Sequence, residues 1–502
     1  MNIFKETITA VDLRLCHINN KPYRTDQSYT KVARELQKII TKKKGFLLLD
    51  QYAIKDIAIK LALHLEDTVA DAGIWRSFCT RHKKIYGTHL PFQWKYNDIP
   101  LDEVSPQSCS FIIWMTLTNY EDTDFISPLL PDIDELGTET YKYLSSIFYD
   151  IEINEEMLKN LYSDKTLSDF YNVKYILSWL SDSEGCYLSD STVTHVNKEA
   201  TLNHTLDFFS SVKKIDYNQI EYHVDSTFPF SEKVGPLALL AHEWFADMIE
   251  GHNNENTKRY VDIVRQIKYK PFNTFKIISS DSETITLLCT NEEKIKIAKD
   301  GFGYYSEEDI ENSSTITGSF VFYNGIWQVT GFALFSKSDK DFDKMINKNK
   351  EDALLLQNTI ETHKKVIDQN NGYRHFYFHN YDEIKAWHDN IKIPIGNLTN
   401  ETFLNNKEIY IYIQKNGNIS YISDIAYALY DKNNPFYNEE LTKKQGISVL
   451  ERFDVNSECI QYIIENGMLK NIEFKWGDDE ESKKLIQENI DFLFKFYHRG
   501  HL

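Results

Sequence analysis

The hydrophobic period of this chain changes at Pro271, and no other feature limits its fold as strongly. Before that proline, apolar residues recur every three to four positions, as on one stripe of a helix. After it, short β-branched runs are separated by polar turns, as strands are. Phe275 to Ser279, Thr284 to Thr290 and Ile295 to Ala298 are such runs. The sharpest signal is Ser319 to Thr330, in which Asn324-Gly325 suits the two positive φ angles of a type I′ hairpin turn. Residues 271–336 are therefore expected to form a small antiparallel β module, barrel-like or curled.

Upstream, Tyr29 to Lys44 reads as a helix with Ser28 as its N-cap and Gly45 as its terminator. At about 100° per residue, Val32, Ala33, Leu36, Ile39 and Ile40 form its apolar face, and Lys31, Arg34, Lys38 and Lys42 the opposite one. Tyr52 to Leu65 and Ile74 to Tyr86 continue the pattern, the second stopping at Gly87. From Pro91 to about Ser231 the chain is mostly helical, with prolines marking its breaks. Pro236 to Ile249 reads as the next helix, with Pro in the first turn and Gly251 just past the end. Beyond the module come a helix from Lys350 to Asp368, a turn at Asn416-Gly417 between Ile409–Ile413 and Ile419–Ile422, and a closing helix from Ser482 to Tyr497. At 502 residues the chain exceeds what one core usually serves. The expected class is α+β multidomain: a helical region over 1–230, a connecting helix over 231–270, the β module over 271–336 and an α+β region over 337–502.

Charge is unevenly spread. The whole chain carries −19, which opposes general attraction to nucleic acid or anionic lipid. Residues 1–90, however, hold 16 Lys or Arg against 9 Asp or Glu, and residues 91–160 hold 3 against 14. The basic face of Lys31, Arg34, Lys38 and Lys42 is expected to meet an acidic surface, either on a protein partner or on Glu121, Asp122, Asp124, Asp132, Asp134 and Glu135 of this chain. The six cysteines are far apart, with neither a CxxC pair nor a finger-like His spacing, so they are expected to be reduced structural thiols. No run approaches the roughly 18 apolar residues of a membrane span, and the first twenty residues lack the apolar core of a secretory signal. A cytoplasmic location is expected.

Several strings in matching order resemble an uncharacterised bacterial domain-of-unknown-function family. They are Gly73-Ile-Trp-Arg-Ser-Phe78 with His82 to Phe92, Gly235-Pro-Leu-Ala-Leu-Leu-Ala-His-Glu-Trp244, Asn324-Gly-Ile-Trp-Gln-Val-Thr-Gly331, Asn434-Pro-Phe-Tyr-Asn438 and Gln487 to Phe492. The resemblance spans nearly the whole chain and brings no assigned activity or catalytic residue. Thr330 stands where it leads one to expect Asn.

Few residues suggest chemistry. His242 and Glu243 with Asp247 are candidates for acid/base work, and Glu243 and Asp247, four apart on a helix, for holding a divalent ion. The second His of HExxH is missing, so a solvated acidic face competes with that reading. His82 lies on the apolar face of its helix, where a core imidazole is the commoner outcome. His375 and His379, with His388, lie among aromatics and lack a third ligand in sequence. No P-loop, dinucleotide fingerprint or nucleophile elbow occurs, and no cofactor is expected. These features favour a non-catalytic binding or regulatory protein with a macromolecular partner. A metal-assisted hydrolase or nuclease, and a nucleic-acid binder using the basic helix and the β module, are the alternatives.

Overall fold

The computed structural model describes residues 7–43, 49–88, 90, 101–120, 126–182, 185–189, 198–203, 205–206, 217–252, 254–303, 305–393, 408–451, 455–473 and 480–499. Helices α1 (Ala10–Leu15), α2 (Asp26–Lys43), α3 (Gln51–Ala70), α4 (Ile74–Tyr86), α5 (Pro106–Tyr120), α6 (Pro131–Ile147), α7 (Glu155–Tyr162), α8 (Asp164–Leu167), α9 (Phe170–Ser181) and α10 (Tyr217–Ser231) come first. A short hairpin, β1 (Lys233–Val234) and β2 (Leu239–Leu240), leads to α11 (Ala241–Gly251) and α12 (Glu255–Arg265). Then come β3 (Lys268–Ser280), β4 (Thr284–Leu288), β5 (Lys294–Ala298), α13 (Glu307–Glu311), β6 (Thr315–Tyr323) and β7 (Ile326–Ser336). The rest is α14 (Lys340–Gln369), β8 (His375–Phe378), α15 (Tyr381–Ile391), β9 (Ile409–Ile413), β10 (Ile419–Ser423), α16 (Glu439–Gln445), α17 (Ser457–Glu465) and α18 (Glu480–Tyr497).

The protein is α+β and multidomain, with a helical N-terminal region, a closed five-stranded barrel and a further sheet near the C-terminus. It divides into two compact units, Met1–Asp122 with Pro128–Ile346, and Thr123–Ser127 with Asn347–Leu502. The helical region apart from Thr123–Ser127, the connecting helix and the β module thus share the first unit.

Local signals explain most helix bounds. Asp26 opens α2 two residues before the expected cap at Ser28, because its carboxylate accepts the Tyr23 N–H at 3.1 Å. Helix α3 is capped by Asp50, which accepts from Ala53 N–H at 2.7 Å, and it runs to Ala70 rather than Leu65. The extension reads as polar in sequence, yet Glu66, Asp67 and Thr68 are buried with partners. The expected helix from Pro236 is corrected: Gly235 to Ala238 form a turn closed by Ala238 N–H to Gly235 O at 3.1 Å, between β1 and β2. Proline suits the second position of such a turn as well as a helix start, and the positive φ of Gly235 decides between them. Helix α14 begins at Lys340, ten residues earlier than its apolar pattern, with Phe342 buried in its first turn.

The barrel follows the order β3-β4-β5-β7-β6. Asn324 and Gly325 take φ of 48° and 87° between the paired Tyr323 and Ile326, so the hairpin is of the expected kind. Two features depart from expectation. Strand β3 starts at Lys268 and passes through Pro271, where a register shift between Lys270 and Asn273 accommodates a residue without an N–H. Closure comes from a parallel pairing of β5 with β7 at Ile297 and Trp327, in an otherwise antiparallel barrel. Phe275, Ile285, Leu287, Ile297, Ile316, Phe320, Trp327 and Val329 pack its interior.

In the second unit, β10-β9-β8 form an antiparallel sheet with Ile409, Tyr410, Ile411, Tyr412 and Ile413 all buried. Helix α15 places Ile384 and Trp387 against it.

Candidate functional site

The residues singled out in sequence are held largely by partners from other parts of the chain. Asp247 Oδ1 accepts from Arg265 at 3.0 Å, its Oδ2 lies 3.5 Å from Arg81, and Glu243 lies 4.0 Å from the same guanidinium. The two carboxylates share a face of α11, as the spacing predicts, and that face meets arginines. His242 is buried and held below its ordinary pKa by burial, against the opposing charge of Glu243. His82 is also buried, between the rings of Phe78 and Tyr86. Among the described residues no group of three or more His, Cys, Asp or Glu is arranged to hold a metal ion.

The three C-terminal histidines go to separate partners. His375 is buried between Asp431 at 2.9 Å and the Tyr462 hydroxyl at 2.8 Å. Exposed His379 meets Glu383, and His388 meets Tyr421 and the Ile393 carbonyl. On α2, Lys31, Arg34, Lys38 and Lys42 are exposed; Arg34 donates to Ile8 O at 2.7 Å and Lys38 pairs with Glu35. The link from α2 to the acidic segment is made instead by Lys43 and Glu139, 3.5 Å apart. Glu121, Asp122 and Asp124 lie outside the described residues.

The least expected polar feature surrounds α3. Adjacent Glu66 and Asp67 project about 100° apart and enter two different buried networks. Asp67 accepts from Ile74 N–H at 3.0 Å, Trp75 N–H at 2.8 Å and Tyr187 O–H at 2.7 Å. Tyr187 in turn receives His64 Nδ1–H at 3.2 Å, and the Ser108 hydroxyl reaches His64 Nε2 at 2.8 Å. Burial pushes the Asp67 pKa up to about 6 against the pull of its donors, and burial pushes His64 down to about 3. The order Ser, His, Tyr, Asp is that of a proton relay, but Ser108 and His64 are both 0% exposed, so no substrate reaches them. On the other side, His17 lies 3.7 Å from Glu66 and 3.6 Å from Asp26. Burial opposes its charge, yet Glu66 and Asp26 together hold its pKa above the ordinary value. A cavity of about 20 Å³ adjoins this group, room for a single water.

An open site lies between α9 and α10. Asp169 caps α9 by accepting Asn172 N–H at 3.0 Å, and Tyr171, Lys174, Tyr175 and Ser178 fall on one face at helical spacing. From α10, Tyr222, Asp225, Ser226 and Pro229 face them at the same spacing. The barrel fixes the back of α10: Thr330 Oγ1 donates to Ser226 O at 2.6 Å, and Tyr323 O–H donates to Leu167 O just before α9. His223 turns inward between Phe272 and Phe332. Gly331 permits this, with φ of 73° and a position where any Cβ would strike the His223 ring.

The resulting cleft is about 480 Å³, within the range of small-molecule sites. Tyr171, Tyr175 and Tyr222 are exposed along it. Lys198 pairs with Asp225 at 2.9 Å, and Asp182 sits on the exposed rim. Lys174 differs: half-buried, it meets no carboxylate at ion-pair distance among the described residues, and its Nζ lies 6.0 Å from the centre of the Tyr222 ring. Burial pushes its pKa down to about 8. The same environment, with Lys174 nearby, pushes His223 down to about 4.

Residues 14–267 and 327–499 match the family described as "Protein of unknown function (DUF3843)". The chain belongs to that family. No curated protein and no solved structure matches it. Both walls of the cleft and the α3 networks fall within the residues matched to DUF3843, as does β7 from Trp327 onward, whereas β3 to β6 fall between the two matched stretches.

Sequence reasoning missed the cleft. One signal was present: Lys174 is the only charged residue of Phe170–Ser181, with Tyr171 and Tyr175 at helical neighbour positions. The opposite wall, about fifty residues onward, left no local trace.

Proposed function

We propose that this member of DUF3843 is a binding protein whose ligand, a small molecule with a flat ring and an anionic or carbonyl acceptor group, enters the cleft between α9 and α10. Lys174 carries the reading. An ammonium held among aromatic rings, with no carboxylate at ion-pair distance among the described residues, costs stability, and a bound acceptor would offset that cost. The exposed tyrosines supply ring faces for stacking and for a cation–π contact. The six cysteines, all free thiols, suit the cytoplasmic location expected for the chain.

Benzoate and phenyl phosphate, followed by calorimetry and thermal unfolding, test the proposal. At 100 times its Kd a ligand stabilises the native state by about 2.7 kcal/mol. Lys174→Met keeps most of the apolar stem of the side chain and removes the charge, and should weaken binding at least tenfold. Equal binding by the variant, or no response to either probe, would sink the reading.

A protein-docking role for α2 keeps one specific support, since Lys31 and Lys42 are exposed and in no ion pair among the described residues. Nucleic-acid binding by the barrel has less, because Lys270, Lys276, Lys296 and Lys299 each meet a carboxylate. Reversing Lys31 and Lys42 to Glu and measuring recovery of a bound protein tests the first.

A further inference from the structure

We infer that Lys174 captures its ligand covalently, its Nζ condensing with an aldehyde or ketone borne by a flat ring, so that the cleft holds an imine. This rests on the reading of the cleft just given and specifies its ligand class. The geometry sets Lys174 apart from the other lysine of the same cleft. Lys198 lies 2.9 Å from the Asp225 carboxylate. Lys174 has no such anion among the described residues and faces the ring of Tyr222. Desolvation there favours the neutral amine, which is the nucleophile.

The step balances without an oxidant or reductant. The Nζ lone pair adds to the carbonyl carbon and gives a carbinolamine. The C–O bond then breaks as a C=N bond forms, and the hydroxyl leaves as water with a proton from the amine. Ser178, Tyr171 and Tyr222 line the space in which that proton transfer occurs. A pKa near 8 in place of 10.5 raises the neutral amine fraction at pH 7 by roughly 300-fold. Part of that gain is offset by the lower basicity of the nitrogen.

The test uses the full chain and 4-formylbenzoate with cyanoborohydride at pH 7, which reduces an imine to a stable secondary amine located by peptide mass mapping. Lys174 should be modified at least tenfold faster than Lys198 and the exposed lysines. Benzoate should protect it. Lys174→Arg, which keeps the charge but offers no primary amine, should lose the fast labelling. Labelling spread evenly over the lysines, or no label at Lys174, overturns imine formation. If benzoate still binds to the wild type and not to Lys174→Met, the binding site itself stands; if that difference is also missing, both readings fall.

Discussion

The α3 networks and the barrel interior solve the problem of burial in opposite ways within one compact unit. Inside the barrel, Phe275, Ile285, Leu287, Ile297, Phe320 and Val329 exclude water by apolar packing, and no ionisable acid or histidine belongs to that cluster. Around α3, His17, Asp26, His64, Glu66 and Asp67 are all at most 6% exposed. A barrel core of this kind tolerates exchange among apolar side chains of similar volume. The helical core is specified by donors and acceptors that depend on named partners, because an orphaned buried group costs about 1 to 3 kcal/mol. The difference predicts distinct responses to substitution and to pH.

The largest effect should come from the helical core. Asp67→Ala leaves Ile74 N–H, Trp75 N–H and Tyr187 O–H without their acceptor, and should destabilise the first unit by about 3 to 6 kcal/mol in urea unfolding. A loss under 1 kcal/mol would mean that water replaces the carboxylate, and the contrast would collapse. In the barrel, Trp327→Ala should cost about 3 to 5 kcal/mol. Trp327 packs on Phe322 and is 9% exposed, which points to the lower part of that range. The barrel cluster offers no titrating acid or histidine, so the loss from Trp327→Ala should be the same at pH 5 and pH 7; a difference above 1 kcal/mol would break the comparison.

The pH response sharpens it further. The His64 pKa is depressed, so its contribution is complete above pH 6.5 and is lost as pH falls toward 3. The Asp67 pKa is raised to about 6, so its protonation in the fold adds stability as pH falls from 6 toward 3.8. The two slopes oppose each other between pH 6 and 4. Asp67→Asn removes the second one, and the variant should lose about 1 to 2 kcal/mol more than the wild type on going from pH 7 to pH 5. Parallel pH profiles would show that the two groups are not linked as the geometry implies. The smallest effect has the opposite sign: Lys174→Met should raise stability at pH 7 by about 1 kcal/mol, because it removes a poorly solvated charge. The wild type should close that gap as pH rises from 8 to 10.5, where the folded state holds fewer protons than the unfolded one. A destabilised Lys174→Met would show that the ammonium serves packing and not a ligand.

Legibility followed the range of the forces involved. Helix α4 ends at Gly87 and the β6–β7 turn lies at Asn324-Gly325, because positive φ is a property of one or two residues. Strand β9 was readable from five alternating residues, Ile409 to Ile413. His242, Glu243 and Asp247 were legible as residues sharing a helix, but their meeting with Arg81 and Arg265 was not, since those come from α4 and α12.

By itself the sequence determined the α+β class, the position of the barrel, the basic outer face of α2 and the family to which the chain belongs. Tertiary structure alone decided that Glu66 and Asp67 are interior, that β5 closes on β7, and that Lys174 lines an open cleft with no carboxylate at ion-pair distance among the described residues. The reason is physical. Backbone preference and amphipathic spacing act over a few residues and are written locally, whereas desolvation depends on which distant segments arrive. α9 and α10 are separated by more than thirty residues, and only their packing turns an ordinary lysine into one whose charge is costly to hold.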